Sequence, residues 1–261
     1  MLIHPDFDPV AISIGPVLVH WYGLMYLVGF VGGAWVGLIR ASRAESAWSR
    51  QDVWDLLFYV ALGVILGGRL GYMIFYNTGR LVENPVEVLF IWRGGMSFHG
   101  GLLGVIVAMW WFAKNRKRSF LNVADFLAPL VPIGLGAGRI GNFINQELWG
   151  RASDVPWAMV FPRVDDLARH PSQLYEAFLE GVVLFVLLWV YSARPRPAGA
   201  VGGLFLFGYG LFRIIAELFR EPDAHIGFIA WGSLTMGQLL SLPLLIVGIV
   251  LMWFTARAKL A

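Results

Sequence analysis

The sequence contains no cysteine, and only 14% of its 261 residues are charged. Without cysteine there is no disulfide, no thiolate metal site and no cysteine nucleophile. Any thiol chemistry must use a thiol from another molecule. Soluble domains carry about 25% charged residues. The shortage here, with 58% hydrophobic residues and a mean hydropathy of +0.67, points to an all-α polytopic membrane protein. The opening MLIHPDFDPV has no basic stretch leading into an apolar one. No cleavable signal peptide is therefore expected, and the first span serves as its own insertion signal. HExxH, carboxylate–histidine clusters at ligand spacing and a P-loop are also missing. The glycines of 134–141 lack the strand–helix setting of a dinucleotide site. No metal, cofactor or nucleic-acid partner is expected.

Seven apolar segments are present, at about 17–39, 53–75, 98–113, 121–138, 173–192, 199–219 and 234–254. They predict about seven transmembrane helices in one integral-membrane domain covering 1–261. The segments 98–113 and 121–138 are short and glycine-rich, as re-entrant or broken helices are. Basic residues cluster in alternate connections: Arg40, Arg43 and Arg50; Lys114, Arg116, Lys117 and Arg118; Arg194 and Arg196; Arg257 and Lys259. By the positive-inside rule these face the cytoplasm. The N-terminus then lies outside and the C-terminus inside, with an extracytoplasmic head at about 139–172. Glycines recur at helical spacing at 29/33/37, 63/67/71, 100/104 and 134/138, exposing backbone for close helix contact. No internal repeat supports an inverted-repeat transporter.

Ionisable groups inside apolar segments mark function or internal pairing. Arg69, Asp125, Arg213 and Glu217 are such groups. Arg213 and Glu217 are spaced i, i+4 and share a helix face with Arg220, so they either pair internally or line a polar cavity. Tyr209 lies one turn before Arg213. Tyr22 and Tyr26 sit at the outer end of the first segment, where tyrosines commonly form an interface belt. His99 stands between glycine pairs in GGMSFHGG, as a structural residue or a general base. The stretch GLGAGRIGNFINQELWG, residues 134–150, is the most unusual. It ends an apolar run with Arg139, Asn142, Asn145, Gln146 and Glu147. A snorkelling arginine would account for Arg139 alone. The clustered amides and carboxylate suggest a hydrogen-bonded network around a wet cavity. Arginine suits phosphate through its bidentate fork. Two arginines, Arg139 and Arg213, near the outer surface would suit a phospholipid headgroup. On these residues alone an enzyme, a transporter or flippase for an anionic lipid, and a membrane scaffold all remain open.

Six blocks, HWYGLMYLVGF, GGRLGY, GGMSFHGGLLG, GAGRIGNFINQELWGR, RHPSQLYEA and GYGLFRIIAELFREPD, occur in that order. Together they resemble the bacterial prolipoprotein diacylglyceryl transferases, from about residue 4 to about residue 250. The resemblance implies a multi-pass enzyme of the bacterial inner membrane. It implies transfer of the sn-1,2-diacylglyceryl group of phosphatidylglycerol to the lipobox cysteine of a prolipoprotein signal peptide, forming a thioether and releasing glycerol 1-phosphate. It further implies His99, Arg139 and Arg213 as key catalytic residues. Tyr22, Asn142, Glu147, Gly150, Tyr209, Glu217 and Arg220 would join Arg139 in holding substrate. In this chemistry a thiolate attacks a CH2 bonded to phosphate oxygen, and fixed cations stabilise the leaving phosphate.

Overall fold

A computed structural model describes residues 2–44, 46–222, 227–230 and 232–257. Met1, the Asp223 that closes the sixth block and Lys259 of the basic tail lie outside the described residues. The chain forms two compact units, Met1–Trp35 with Asp125–Ala261, and Val36–Ala124.

The helices in chain order are α1 (Trp21–Ala41), α2 (Arg50–Tyr76), α3 (Thr78–Glu83), α4 (Phe98–Asn115), α5 (Phe120–Leu127), α6 (Val131–Ile144), α7 (Ser172–Tyr191), α8 (Ala200–Glu217) and α9 (Met236–Arg257). Among the described residues, α1, α2, α7, α8 and α9 are long and apolar enough to cross a membrane, and α5 with α6 would make a sixth span. Helix α4 is 18 residues long but is not one of these, because His99, Lys114 and Asn115 dilute its ends. The sequence expectation of a broken segment is met at 121–138, where α5 and α6 meet at a 48° bend. Pro129 and Pro132 explain the break, since proline has no N–H and restricts the residue before it.

The fold is not purely helical. Strands β2 (Val10–Ile14) and β3 (Val17–His20) form an antiparallel hairpin turning at Gly15, whose φ is +57°. The first apolar segment therefore starts as a strand, and its helix begins at Trp21. Strand β1 (Leu2–Ile3) pairs in parallel with β4 (Met159–Val160), which pairs antiparallel with β5 (Ala168–Arg169). Two-residue strands carry no alternation long enough to read from sequence.

In the unit Val36–Ala124 the glycine ladders interlock as expected. A Cβ on Gly63 would lie 2.5 Å from the Gly104 carbonyl oxygen, and one on Gly71 would lie 2.6 Å from Gly100 Cα. The obstacles are backbone on both sides, so neither helix can yield locally. Gly104→Val should lower the thermal midpoint of the detergent-solubilised protein, at a cost of ~1–3 kcal/mol or more for overpacking. An unchanged midpoint would contradict this packing. Arg69 is 4% exposed and donates to the carbonyls of Glu87, Val88, Gly94 and Gly95. It organises the loop that leads into α4. Arg116 and Arg118 are more than orientation signals, because Arg116 bonds Asp55 and Arg118 lies 3.2 Å from Asp52.

In the other unit, Asp125 accepts from the backbone N–H groups of Gly199 and Gly202, each at 2.7 Å. Its charge thus satisfies free donors at the start of α8, where the helix dipole favours an anion. Gly29 packs on Gly134, with a virtual Cβ 2.9 Å from Gly134 Cα. A Cβ on Gly138 would meet nothing within 4 Å. The close contact of α6 with α7 runs through Gly136 instead.

Candidate functional site

The site grows from that contact. A Cβ on Gly136 would lie 3.2 Å from Gly181 Cα. Residues Ala177–Val183 of α7 are wound as a π-helix, a form that often marks functional positions. Backbone thus meets backbone, and one turn further along α6 the Arg139 side chain reaches α7. Its Nε lies 2.7 Å from Glu176 Oε2, and its Nη2 lies 3.5 Å from Glu180 Oε2. From α8, Arg213 Nη1 lies 2.9 Å from Glu176 Oε1 and 3.8 Å from Glu180 Oε1. Arg213 Nη2 lies 2.5 Å from Glu217 Oε1, and Arg220 Nη1 lies 3.1 Å from the same oxygen. The Thr235 hydroxyl donates to Glu217 Oε2 at 2.6 Å. Gly237 leaves room for that carboxylate, since a Cβ there would sit 2.6 Å from it.

Arg139 and Arg213 therefore converge, as expected, but through two acids the sequence reading passed over. Glu176 and Glu180 are both 0% exposed. Buried carboxylates persist only when paired. Glu176 bridges the two guanidiniums. A signal was available: two carboxylates at i, i+4 in an otherwise apolar helix, the first inside RHPSQLYEA.

The amide-rich stretch after α6 forms its own network. Glu147 accepts from Asn142 Nδ2 at 3.2 Å and from Asn145 Nδ2 at 3.4 Å. Gln146 donates to Asp6 at 2.8 Å and accepts from the Arg163 backbone at 3.0 Å. Gln146 and Leu148 adopt left-handed φ of +57° and +55°. That conformation is uncommon for such side chains. Gln173 and Ser172 hold the turn by donating to the carbonyls of Glu147 and Leu148, at 2.6 and 3.0 Å. The first turn of α7, which carries Glu176, is thereby tied to the loop after Arg139.

Gly150 lies where two backbone segments cross. Its N–H donates to His170 O at 3.0 Å, and it bridges Arg220. A Cβ would sit 2.6 Å from His170 Cβ and 2.7 Å from Phe219 O. The backbone packing leaves no space for a side chain, and this accounts for the glycine directly. Arg151 beside it donates to Arg220 O at 3.0 Å and to Glu217 O at 3.4 Å. Arg169 holds Asp165 at 2.5 Å, and this hydrogen bond keeps the Asp165 carboxyl below its usual pKa. Burial pushes the His170 imidazole pKa down. Trp157 can only donate, and its Nε1–H donates to Tyr175 Oη at 2.6 Å. The Tyr175 hydroxyl proton is then free to go to His170 Nδ1, 3.1 Å away.

Arginines bridged by buried acids, behind a glycine-braced RIGNF segment, define the centre. A model of the family described as prolipoprotein diacylglyceryl transferase matches residues 9–254. The chain belongs to the prolipoprotein diacylglyceryl transferase family. Curated relatives carry the name phosphatidylglycerol--prolipoprotein diacylglyceryl transferase. One from Pseudomonas paraeruginosa (strain DSM 24068 / PA7) is 57% identical over 100% of this chain and 98% of its own length. One from Ectopseudomonas mendocina (strain ymp) is 59% identical over 99% and 98%. One from Legionella pneumophila (strain Corby) is 57% identical over 97% and 99%.

The remaining residues singled out for this transferase family are Tyr22, Tyr209 and His99. The Tyr22 hydroxyl lies 3.3 Å from that of Tyr26, and its ring packs against Gly141, where a Cβ would sit 3.0 Å away. Tyr209 stacks on Phe205 and packs against the apolar cluster that Ala128, Leu184, Leu188 and Val201 form. His99 lies in the unit Val36–Ala124, in the first turn of α4. Its ring is exposed and edge-on to Phe98, and Ser97 caps the helix by accepting from Gly100 N–H at 3.2 Å.

Proposed function

We propose that the chain transfers the sn-1,2-diacylglyceryl group of phosphatidylglycerol to the lipobox cysteine of a prolipoprotein signal peptide. The cysteine sulfur bonds to the glycerol CH2, the CH2–O–phosphate bond breaks, and glycerol 1-phosphate leaves. The thiol proton is lost before attack. The observation that carries this reading is the convergence of Arg139 and Arg213 on Glu176, in a member of this family. Arg139 grips the lipid phosphate. Arg213 stabilises the departing phosphate or lowers the thiol pKa. Asn142 and Glu147 shape the loop beside Arg139, while Glu217 and Arg220 hold Arg213 in place. Tyr22 and Tyr209 complete the substrate contacts, and Gly150 keeps the backbone crossing that supports them. By the family resemblance, His99 serves as a base for the thiol or as a hydrogen-bonding orienter. An apolar groove of about 490 Å³, lined by Trp157, Tyr175, Phe178, Leu179 and Phe219, suits an acyl chain, and it adjoins the helix that carries Glu176 and Glu180.

The placement that goes with this activity is seven crossings of the bacterial inner membrane. They are α1, α2, α4, the α5–α6 pair, α7, α8 and α9. The N-terminus and the 139–172 head are outside, and the basic connections are in the cytoplasm.

The test uses phosphatidylglycerol labelled in its headgroup. Water-soluble glycerol phosphate should appear only with a cysteine-containing lipobox peptide, and a Cys→Ser peptide should release none. Label that moves between leaflets without headgroup release would instead indicate a flippase. His99→Gln should lower turnover by about 100-fold or more, the usual weight of a general base. Retention of most activity would remove His99 as the base and leave the transfer intact.

A further inference from the structure

Among the described residues, the buried ionic cluster holds three guanidiniums, Arg139, Arg213 and Arg220, and three carboxylates, Glu176, Glu180 and Glu217. With all six ionised, the cluster is neutral before any substrate arrives. A phosphodiester headgroup brings one more negative charge. In a desolvated site an uncompensated charge is costly, and the usual relief is that a nearby group takes up a proton.

The geometry selects which carboxylate does so. Glu176 holds its partners at 2.7 and 2.9 Å. Glu217 holds its partners at 2.5 and 3.1 Å and also accepts from Thr235 at 2.6 Å. Glu180 is equally buried, yet its contacts to the same two guanidiniums are 3.5 and 3.8 Å. The weakest-held charge is the cheapest to neutralise. The charged and titratable groups that face Glu180 are Arg139 from α6, Arg213 and Tyr209 from α8, and Glu176 from its own helix.

We propose that Glu180 takes up one proton when an anionic phosphodiester headgroup binds at Arg139 and Arg213, so that its protonation gates entry of the lipid. This rests on the reading that the cluster holds the phosphate. Glu180 is a positioning residue here. Once neutral, it releases the two guanidiniums to the headgroup. Binding that takes up one proton weakens about ten-fold per pH unit above the carboxyl's pKa.

The experiment measures phosphatidylglycerol binding to the full chain in detergent without acceptor peptide, so that thiol ionisation does not enter. Calorimetry of the wild type in two buffers of different ionisation enthalpy should show uptake of one proton per lipid. Between pH 6 and 9 the wild-type Kd should rise with pH, whereas Glu180→Gln, permanently neutral, should give a flat Kd. Soluble glycerol 1-phosphate, titrated in parallel, should also drive proton uptake but bind more weakly, since it lacks the acyl chains. No proton uptake with phosphatidylglycerol would overturn the inference, and so would equal pH slopes in the two proteins. The wild-type calorimetry stands even if the variant does not fold. Arg139→Gln separates the two levels. Undiminished lipid binding by that variant would remove the headgroup reading itself. Lost binding by that variant, with no proton uptake by the wild type, would remove only the role of Glu180.

Discussion

Arg139→Gln and Arg213→Gln should each lower the rate of diacylglyceryl transfer by about 100- to 1,000-fold, the cost of removing one preorganised donor to developing negative charge. The two losses should differ in kind. On the proposed mechanism Arg139 grips the phosphate in ground and transition states alike, so its loss should raise KM for phosphatidylglycerol as well as lower kcat. On the same mechanism Arg213 acts on the leaving phosphate or on the attacking thiol, so its loss should fall mainly on kcat. Lysine should rescue neither position well. Arg139 spans from Glu176 to Glu180 through two different nitrogens, and Arg213 spans from Glu176 to Glu217 in the same way. A single ammonium cannot reproduce that fork. Steady-state kinetics with a lipobox peptide decides the matter. Near wild-type rates in both glutamine variants would end the mechanism.

Glu176→Ala should have the largest effect on stability. The carboxylate is 0% exposed and lies between Arg139 and Arg213 at 2.7 and 2.9 Å. Its removal leaves Arg139 with only the longer contact to Glu180, and leaves Arg213 facing it with Glu217 as its one close partner. Breaking a buried pair in this way costs ~3–5 kcal/mol. The expected readout is a marked fall in the thermal midpoint, together with lost turnover. The double variant Glu176→Met with Arg213→Met should recover part of the stability, because it removes both charges of one pair. A double variant as unstable as the sum of the two single changes would show that the pair is not coupled.

Much of this arrangement was legible in the residues, and particular positions show why. The helices follow from apolar runs of membrane-spanning length, and the break between α5 and α6 follows from Pro129 and Pro132. The interlock of α2 with α4 follows from glycines four apart, whose spacing is local and therefore visible. The pairing of Arg213 with Glu217 is likewise a one-turn relation. Glu176 and Glu180 are harder to read. Their partners lie 33 to 41 positions away on other helices, and nothing local says which cation a buried acid will meet. The partner of Gly136 is hidden for the same reason, since Gly181 faces it only after folding. Strands β1, β4 and β5 are too short to carry a pattern. Gly150 was legible as a position of the family signature by resemblance, but its physical reason, the crossing of backbone at His170 and Phe219, needed coordinates.

The measurement that tests the central claim most directly is the intact mass of a lipobox peptide after incubation with the purified protein and phosphatidylglycerol. The account predicts an increase equal to one diacylglyceryl group, located on the cysteine sulfur and absent with the Arg139→Gln protein. A peptide of unchanged mass with the wild-type protein, under conditions where the lipid binds, would contradict it.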